Sequence, residues 1–225
     1  MLSSFTNNPI IAYISRGDIP GLLIYLLSLL LAMCIAVSFH ECAHAFVADK
    51  LGDPTAKNMG RLSLDPLKHM NWIGLLCFVF FRIGFANPVI VNPRNLKHYR
   101  RDDVLISLAG VVTNLLLSFI FYGILFFIAA KVKEPNEILV SVLSMIISLN
   151  LSFALFNILP IPPLDGFHVV SSIFIRKSYK VVQFLQRYGF ILLLILIITG
   201  VIPWLLSTAA NWFITLFFKF FSLFI

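Results

Sequence analysis

His40-Glu41-Cys42-Ala43-His44 places two imidazoles four residues apart, with a carboxylate beside the first. On an α-helix this spacing puts both histidines on one face, close enough to hold a single Zn²⁺. The glutamate between them is placed to accept a proton from water activated at such a centre. The five-residue pattern arises by chance in a chain of this length at roughly a few per cent, so its surroundings decide its meaning. It ends an apolar run from Gly21 to Phe39, long enough for a membrane span. Ionisable side chains within hydrocarbon are expensive and are functional candidates by default, and no Lys or Arg stands among these five residues to pair with Glu41. A bound cation would offset that cost.

A catalytic zinc takes three protein ligands and leaves a fourth position open, so one ligand has to come from elsewhere in the chain. Asp165 is the strongest candidate. It follows an apolar span, sits where Pro160, Pro162 and Pro163 break the helix, and returns to the membrane face that His44 approaches. Its alternative role is that of a turn or cap aspartate before Gly166. Asp49, Asp53 and Asp65 lie in polar connections where solvated carboxylates are ordinary. Asp102 and Asp103 adjoin Arg100 and Arg101 and read as surface pairs, and His69, His98 and His168 read as residues of polar connections. Cys34, Cys42 and Cys77 all fall in apolar stretches without zinc-finger or CxxC spacing, so they read as packing residues with no disulfide framework.

The elements that must position these groups are membrane helices. The chain has 225 residues, 60% of them hydrophobic and only 12% charged, a composition far from that of a soluble globular protein. Apolar runs predict a first helix over about Ile19 to Leu51, stopped at Gly52-Asp53-Pro54, then spans over about Val104 to Ala130 and Ile138 to Leu159 that form an antiparallel hairpin around the polar turn Lys131 to Glu137. Trp72 to Phe81 is too short to cross and reads as re-entrant, interfacial or packed within protein. Two further runs, about Tyr188 to Gly200 and Trp204 to Ile225, flank Pro203 as a terminal hairpin. The fold expectation is an all-α polytopic membrane protein with about five to six membrane segments. It forms one domain over 1–225, with a core of about 20–166 and a C-terminal hairpin of about 180–225. The first fifteen residues lack the features of a removable signal peptide.

A net charge of +7 could suggest nucleic acid as a partner, but the basic residues sit in short connections between apolar runs, so orientation in the bilayer explains them better. Segment 50–102 holds nine Lys and Arg and segment 160–187 holds four of the seventeen. Both segments are therefore expected on the cytoplasmic side, with the amino terminus outside and the His40–His44 motif near the cytoplasmic leaflet. The motif precedes Asp49, the expected interfacial residue, by roughly 8 to 14 Å along the helix.

Together with Asn157-Ile158-Leu159-Pro160-Ile161-Pro162-Pro163-Leu164-Asp165-Gly166, the first motif resembles the site-2 protease family of intramembrane zinc metalloproteases, whose pattern is HExxH on one span and NxxPxPxLDG at another. The stretch Asn87 to Leu96 is similar to the extended loop of the compact prokaryotic members, where the wording is close to PVPVNPxNF; Ile90 and Leu96 depart from it. With Gly110 and Asn114 on the second full span, the resemblance covers about residues 20 to 200.

The resemblance implies a three-span catalytic core completed by the Leu164-Asp165-Gly166 segment. One Zn²⁺ would sit on His40, His44 and Asp165, with Glu41 as catalytic base. It further implies that Asn157 positions substrate or stabilises the oxyanion, that Asn114 serves in the same way or as an asparagine packing one helix on another, and that the segment containing Pro88, Asn92, Pro93 and Asn95 pairs with an unwound substrate. The substrates would be transmembrane or membrane-anchored proteins in a prokaryotic cell membrane. No stretch is long and polar enough for the PDZ or CBS modules found on some relatives.

Two other functions compete. A metal or proton transporter would use the same His/Glu/Asp cluster as a transit site, but it needs further ionisable residues across the opposite half of the membrane, and the spans contain almost none. A proteolytically inactive relative that binds membrane proteins would be expected to have lost Glu41, which is intact.

Overall fold

The computed structural model describes residues 9–81, 84, 86–174 and 179–225. After a short amphipathic helix α1 (Pro9–Arg16), the chain enters α2 (Ile19–Lys50), where the Asp18 carboxylate accepts the Gly21 amide at 2.9 Å and Pro20 occupies the first turn. Gly52, at φ +106, turns the chain out of α2 in a conformation that favours glycine.

Three short helices follow: α3 (Thr55–Asn58), α4 (Pro66–His69) and α5 (Trp72–Phe81). At ten residues α5 reaches about 15 Å, half the hydrocarbon thickness, so it cannot cross, as its length predicted. Its Trp72, Ile73 and Leu76 are exposed. An isolated bridge between Met70 and Ala86 brings the chain back, and an extended segment with a single 3₁₀ turn at Pro93–Asn95 leads to α6 (Tyr99–Lys131). The described residues contain no β-strand beyond that bridge.

Helix α6 begins about five residues before its apolar run. The Asp102 carboxylate accepts the His98 amide at 2.9 Å, satisfying one of the free donors of the first turn, so the helix extends past the lipid-facing stretch that hydropathy detects. Asp102 is 1% exposed; its pairing with Arg101 is real, but the expected surface location is not.

Helix α7 (Glu137–Asn157) is capped by the Asn136 side chain, which accepts the Ile138 and Leu139 amides. The proline segment then gives way to α8 (Asp165–Phe174), followed by α9 (Tyr179–Ile198) and α10 (Val201–Phe221). Pro203 does not separate the last two helices: it lies in the first turn of α10, where a missing amide hydrogen leaves no bond unmade, and Gly200 at φ +82 makes the turn.

Among the described residues five helices, α2, α6, α7, α9 and α10 with its terminal turn, are long and apolar enough to cross a membrane. Helices α2, α6 and α7 pack on one another and α8 packs on α6. Tyr25, Leu29, Ala32 and Met33 of α2 meet Ile146 and Leu149 of α7 in the main apolar cluster. Small side chains let these helices approach closely, with Ala36, Ala45 and Ala48 all fully buried.

Candidate metal centre

His40 and His44 lie one turn apart on α2, and α8 delivers Asp165 to the same point. The Asp165 Oδ2 atom stands 3.1 Å from His40 Nε2 and 3.3 Å from His44 Nε2, while the two Nε2 atoms are 3.0 Å apart. One ligand atom from each of the three residues falls within 4.8 Å of the others. Both histidines are buried, and their rings meet edge to face. The His40 ring also packs against Phe153 of α7.

The other nitrogen of His44 sets its tautomer. Nδ1 lies 2.7 Å from the Ile106 carbonyl of α6, an atom that can only accept, so Nδ1 carries the proton and Nε2 presents a lone pair. Two imidazole nitrogens and a carboxylate oxygen directed at one point are a donor set for a cation. Asp165 Oδ2 is buried with no hydrogen-bond donor on it.

Space for the two rings comes from Gly110 on α6. A Cβ at this position would fall 2.6 Å from His40 Nδ1 and 2.6 Å from His44 Nε2. Gly166 plays a comparable part beside Asp165, because a Cβ there would strike the Ile158 and Leu159 carbonyls at the end of α7.

Helix α8 is fixed to α6 by Asp103. Its carboxylate accepts the Ser172 hydroxyl at 2.6 Å and faces His168 Nδ1 at 3.7 Å. Asp103 is thus a tertiary contact between helices, not a surface partner of Arg100. The Asp103 carboxylate raises the pKa of His168 above its usual value against the opposing effect of burial.

The Glu41 carboxylate, 8% exposed, accepts the Val89 amide at 2.9 Å, so the segment after Ala86 runs over the face of α2 that carries Glu41. Within that segment Val89 touches Glu41 and Pro88 precedes it, whereas Asn92, Pro93 and Asn95 lie toward the end of α2, where Asp53 binds the Asn92 amide and the Asn95 side chain. Asp53 is fully buried, a correction to its expected solvation: four donors replace its water. His69, within the polar connection between α2 and α6, is also fully buried and pairs with the Ser63 carbonyl.

Asn157 is partly buried at the last turn of α7, where its Nδ2 donates to the Phe153 carbonyl of its own helix. Asn114 is fully buried one turn beyond Gly110 and donates to the Ala36 carbonyl of α2 at 3.3 Å, joining the two helices. The Ile106 carbonyl and the Val89 amide escape a motif search because they are backbone groups of residues with no chemical signature. Gly110 does carry a signal, as a glycine in the middle of a span.

The chain resembles known proteins over most of its length. The description Peptidase family M50 matches residues 127–196, which include Asp165. "Putative zinc metalloprotease YwhC" of Bacillus subtilis is 38% identical over 175 residues, 76% of this chain and 80% of that protein. "Putative zinc metalloprotease Rip2" of Mycolicibacterium smegmatis is 27% identical over 198 residues, 86% of this chain and 71% of that protein. No solved structure matches significantly. With this degree of identity over four-fifths of a relative, and with five helices fit to cross a membrane, the chain is an integral membrane protein that belongs to peptidase family M50, the site-2 protease family.

Proposed function

We propose that this protein is a zinc metalloprotease that hydrolyses a peptide bond within or beside a membrane-spanning segment of another protein. The observation that carries this reading is the convergence of His40, His44 and Asp165 on one point, with Glu41 one residue from the first ligand. These three residues would hold one Zn²⁺. When bound, the ion supplies Lewis acidity that draws the pKa of water toward neutrality and polarises a peptide carbonyl.

Glu41 accepts the proton of the attacking water and returns it to the leaving amine, a role that requires its carboxylate to be held in place; the Val89 amide does this. Residues 88–91 make no backbone hydrogen bonds with other described backbone groups, so this stretch offers an edge to an extended peptide. Pro88, Asn92, Pro93 and Asn95 shape that edge, and Asn157, at the end of α7, orients the substrate. Asn114 serves the site from behind, by holding α6 against α2.

The distribution of Lys and Arg favours a cytoplasmic location for segments 50–102 and 160–187, and hence for the entry of water beside the proline segment. One-sided labelling of cysteines introduced near Asp165, in a background lacking the native three, tests that orientation; protection from both sides refutes it. The chemistry is tested by cleavage of a panel of transmembrane substrates with the purified protein. Glu41→Gln should lower turnover by about 10²- to 10⁴-fold with zinc still bound, and a chelator should abolish turnover. Activity surviving in the Glu41 variant sinks the assignment.

A further inference from the structure

The end of α2 and the segment crossing the site are joined by a carboxylate that takes no part in metal binding. Gly52 turns the chain so that Asp53 points back into protein, and even a Cβ on Gly52 would approach the Asn95 carbonyl to 3.4 Å. Asp53 then collects four hydrogen bonds. The Asn92 amide at 2.6 Å and Asn95 Nδ2 at 2.7 Å come from the segment, and the Thr55 hydroxyl at 2.5 Å and amide at 3.1 Å come from the start of α3. Burial alone would raise the pKa of this carboxyl, but the bonds from Thr55, Asn95 and Asn92 outweigh it and hold the group below its usual range. The clamp is therefore charged, and charge-assisted bonds of this kind are among the stronger ones.

The same stretch has an apolar hold beside the polar one. Leu96 packs against Ala48 of α2 and Ile106 of α6, with Val91 alongside, and Ile106 is the residue whose carbonyl fixes His44. At its other end the stretch reaches Glu41 through the Val89 amide. Three residues of extended chain, about 10 Å, separate Val89 from Asn92. A segment this short, tied at both ends, has little slack, so a shift at the Asp53 end is passed to the Glu41 end.

We propose that Asp53 is a positioning residue for proteolysis: by clamping Asn92 and Asn95 it fixes the register of segment 88–95, which keeps the Val89 amide on Glu41 and presents the open edge to substrate in one alignment. This rests on Glu41 being the base and on the segment being the edge that receives substrate. A misplacement of about 1 Å at a catalytic site can cost up to about 100-fold, so a loosened clamp should be visible without any loss of metal.

The test uses the full-length purified protein and a transmembrane substrate whose cleaved bond is mapped by mass spectrometry. Asp53→Ala should raise KM about tenfold and spread cleavage to neighbouring bonds, with zinc content unchanged. Asp53→Asn, which keeps one carbonyl acceptor in the same shape, should fold as the parent does and fall between the two. Glu41→Gln is run in parallel. If it stays active, the base assignment fails independently of Asp53. If it is inactive while both Asp53 variants keep the parent KM and a single cleaved bond, the proposal is overturned. Loss of zinc and turnover at an unchanged bond overturns it too, because that is the signature of a merely structural residue.

Discussion

The first three spans and the last two are all apolar enough for a bilayer, yet they pack differently. The most apolar stretches of α2, α6 and α7 are 44%, 33% and 44% buried within the protein, against 17% and 11% for α9 and for α10 with its terminal turn. Apolarity therefore does not draw these helices together, since lipid tails solvate a leucine as well as another helix does. The core spans differ in carrying small and polar residues where they cross: Ala36, Gly110, Asn114, Ser118, Asn150 and Ala154 are all buried there. The hairpin meets the core through aromatic rings, with Phe217 and Phe221 of α10 against Phe119, Tyr122 and Phe126 of α6, through Leu193 of α9 and Ile202 of α10 packed with Leu164, and through Gly189 of α9 seated on Pro162. Small and polar contacts fix a single geometry, whereas rings sliding on rings tolerate several.

The sharpest way to break this contrast is one substitution made at two places on α6. Gly110→Ala sets a methyl group 2.6 Å from atoms of both imidazoles, and neither ring can retreat without abandoning Asp165 or, for His44, the Ile106 carbonyl. Zinc stoichiometry should fall well below one, and turnover by at least about 100-fold. Gly123→Ala sets its methyl group 2.5 Å from the end of the Phe221 ring, a side chain that touches none of His40, His44 and Asp165. It should cost at most about 1–3 kcal/mol of stability while leaving zinc content and turnover near parental values. Metal analysis and cleavage assays on both variants decide the matter. Equal loss of zinc from the two would mean that the hairpin sets the site as firmly as the core does.

The reach of the sequence follows the same division. His40, Glu41, His44 and Asp165 stand out because charged and metal-binding side chains are rare in an apolar chain, and the spans stand out because lipid demands long apolar runs. Asp53 reads as solvated and Asp103 as a surface ion pair, since a carboxylate in a polar connection looks the same whether it faces water or is clamped. Their partners, Asn92 and Ser172, lie 39 and 69 residues away. Pro203 was misjudged because a proline ends a helix in some positions and begins one in others, and only the preceding Gly200 turn separates the cases. The early start of α6 depends on a backbone bond to Asp102, which hydropathy does not register.

A smaller effect separates the core from the segment leading to the hairpin through pH. Asp103 raises the pKa of His168 in the folded protein above its unfolded value of about 6.5. The imidazolium therefore contributes stability that is fully present below about pH 6.5 and is lost as pH rises through the raised folded value. His168→Ala should remove that contribution, so the stability difference between parent and variant should shrink across this window. Unfolding measured between pH 5 and pH 9 checks it. A difference independent of pH would mean that His168 holds α8 by packing alone. Trp212→Ala, on the exposed face of α10, should show no such pH dependence.

The smallest expected effect tests whether single hydroxyls distinguish the two regions. Ser118 of α6 donates to the Ile147 carbonyl of α7 at 3.1 Å and is fully buried, so its bond joins two helices. Ser207 of α10 donates to the Trp204 carbonyl of its own helix and faces outward. Removing the first hydroxyl should cost about 0.6 kcal/mol, the average for interhelical hydrogen bonds in membranes, because the Ile147 carbonyl keeps its helical amide partner and no buried group is orphaned. Removing the second leaves every tertiary contact in place and should cost close to nothing. Reversible unfolding of Ser118→Ala and Ser207→Ala in bicelles resolves the two. Equal costs would mean that interhelical hydroxyl bonds are not what separates the core from the hairpin, leaving the small residues at Ala36 and Gly110 as the cause of close packing.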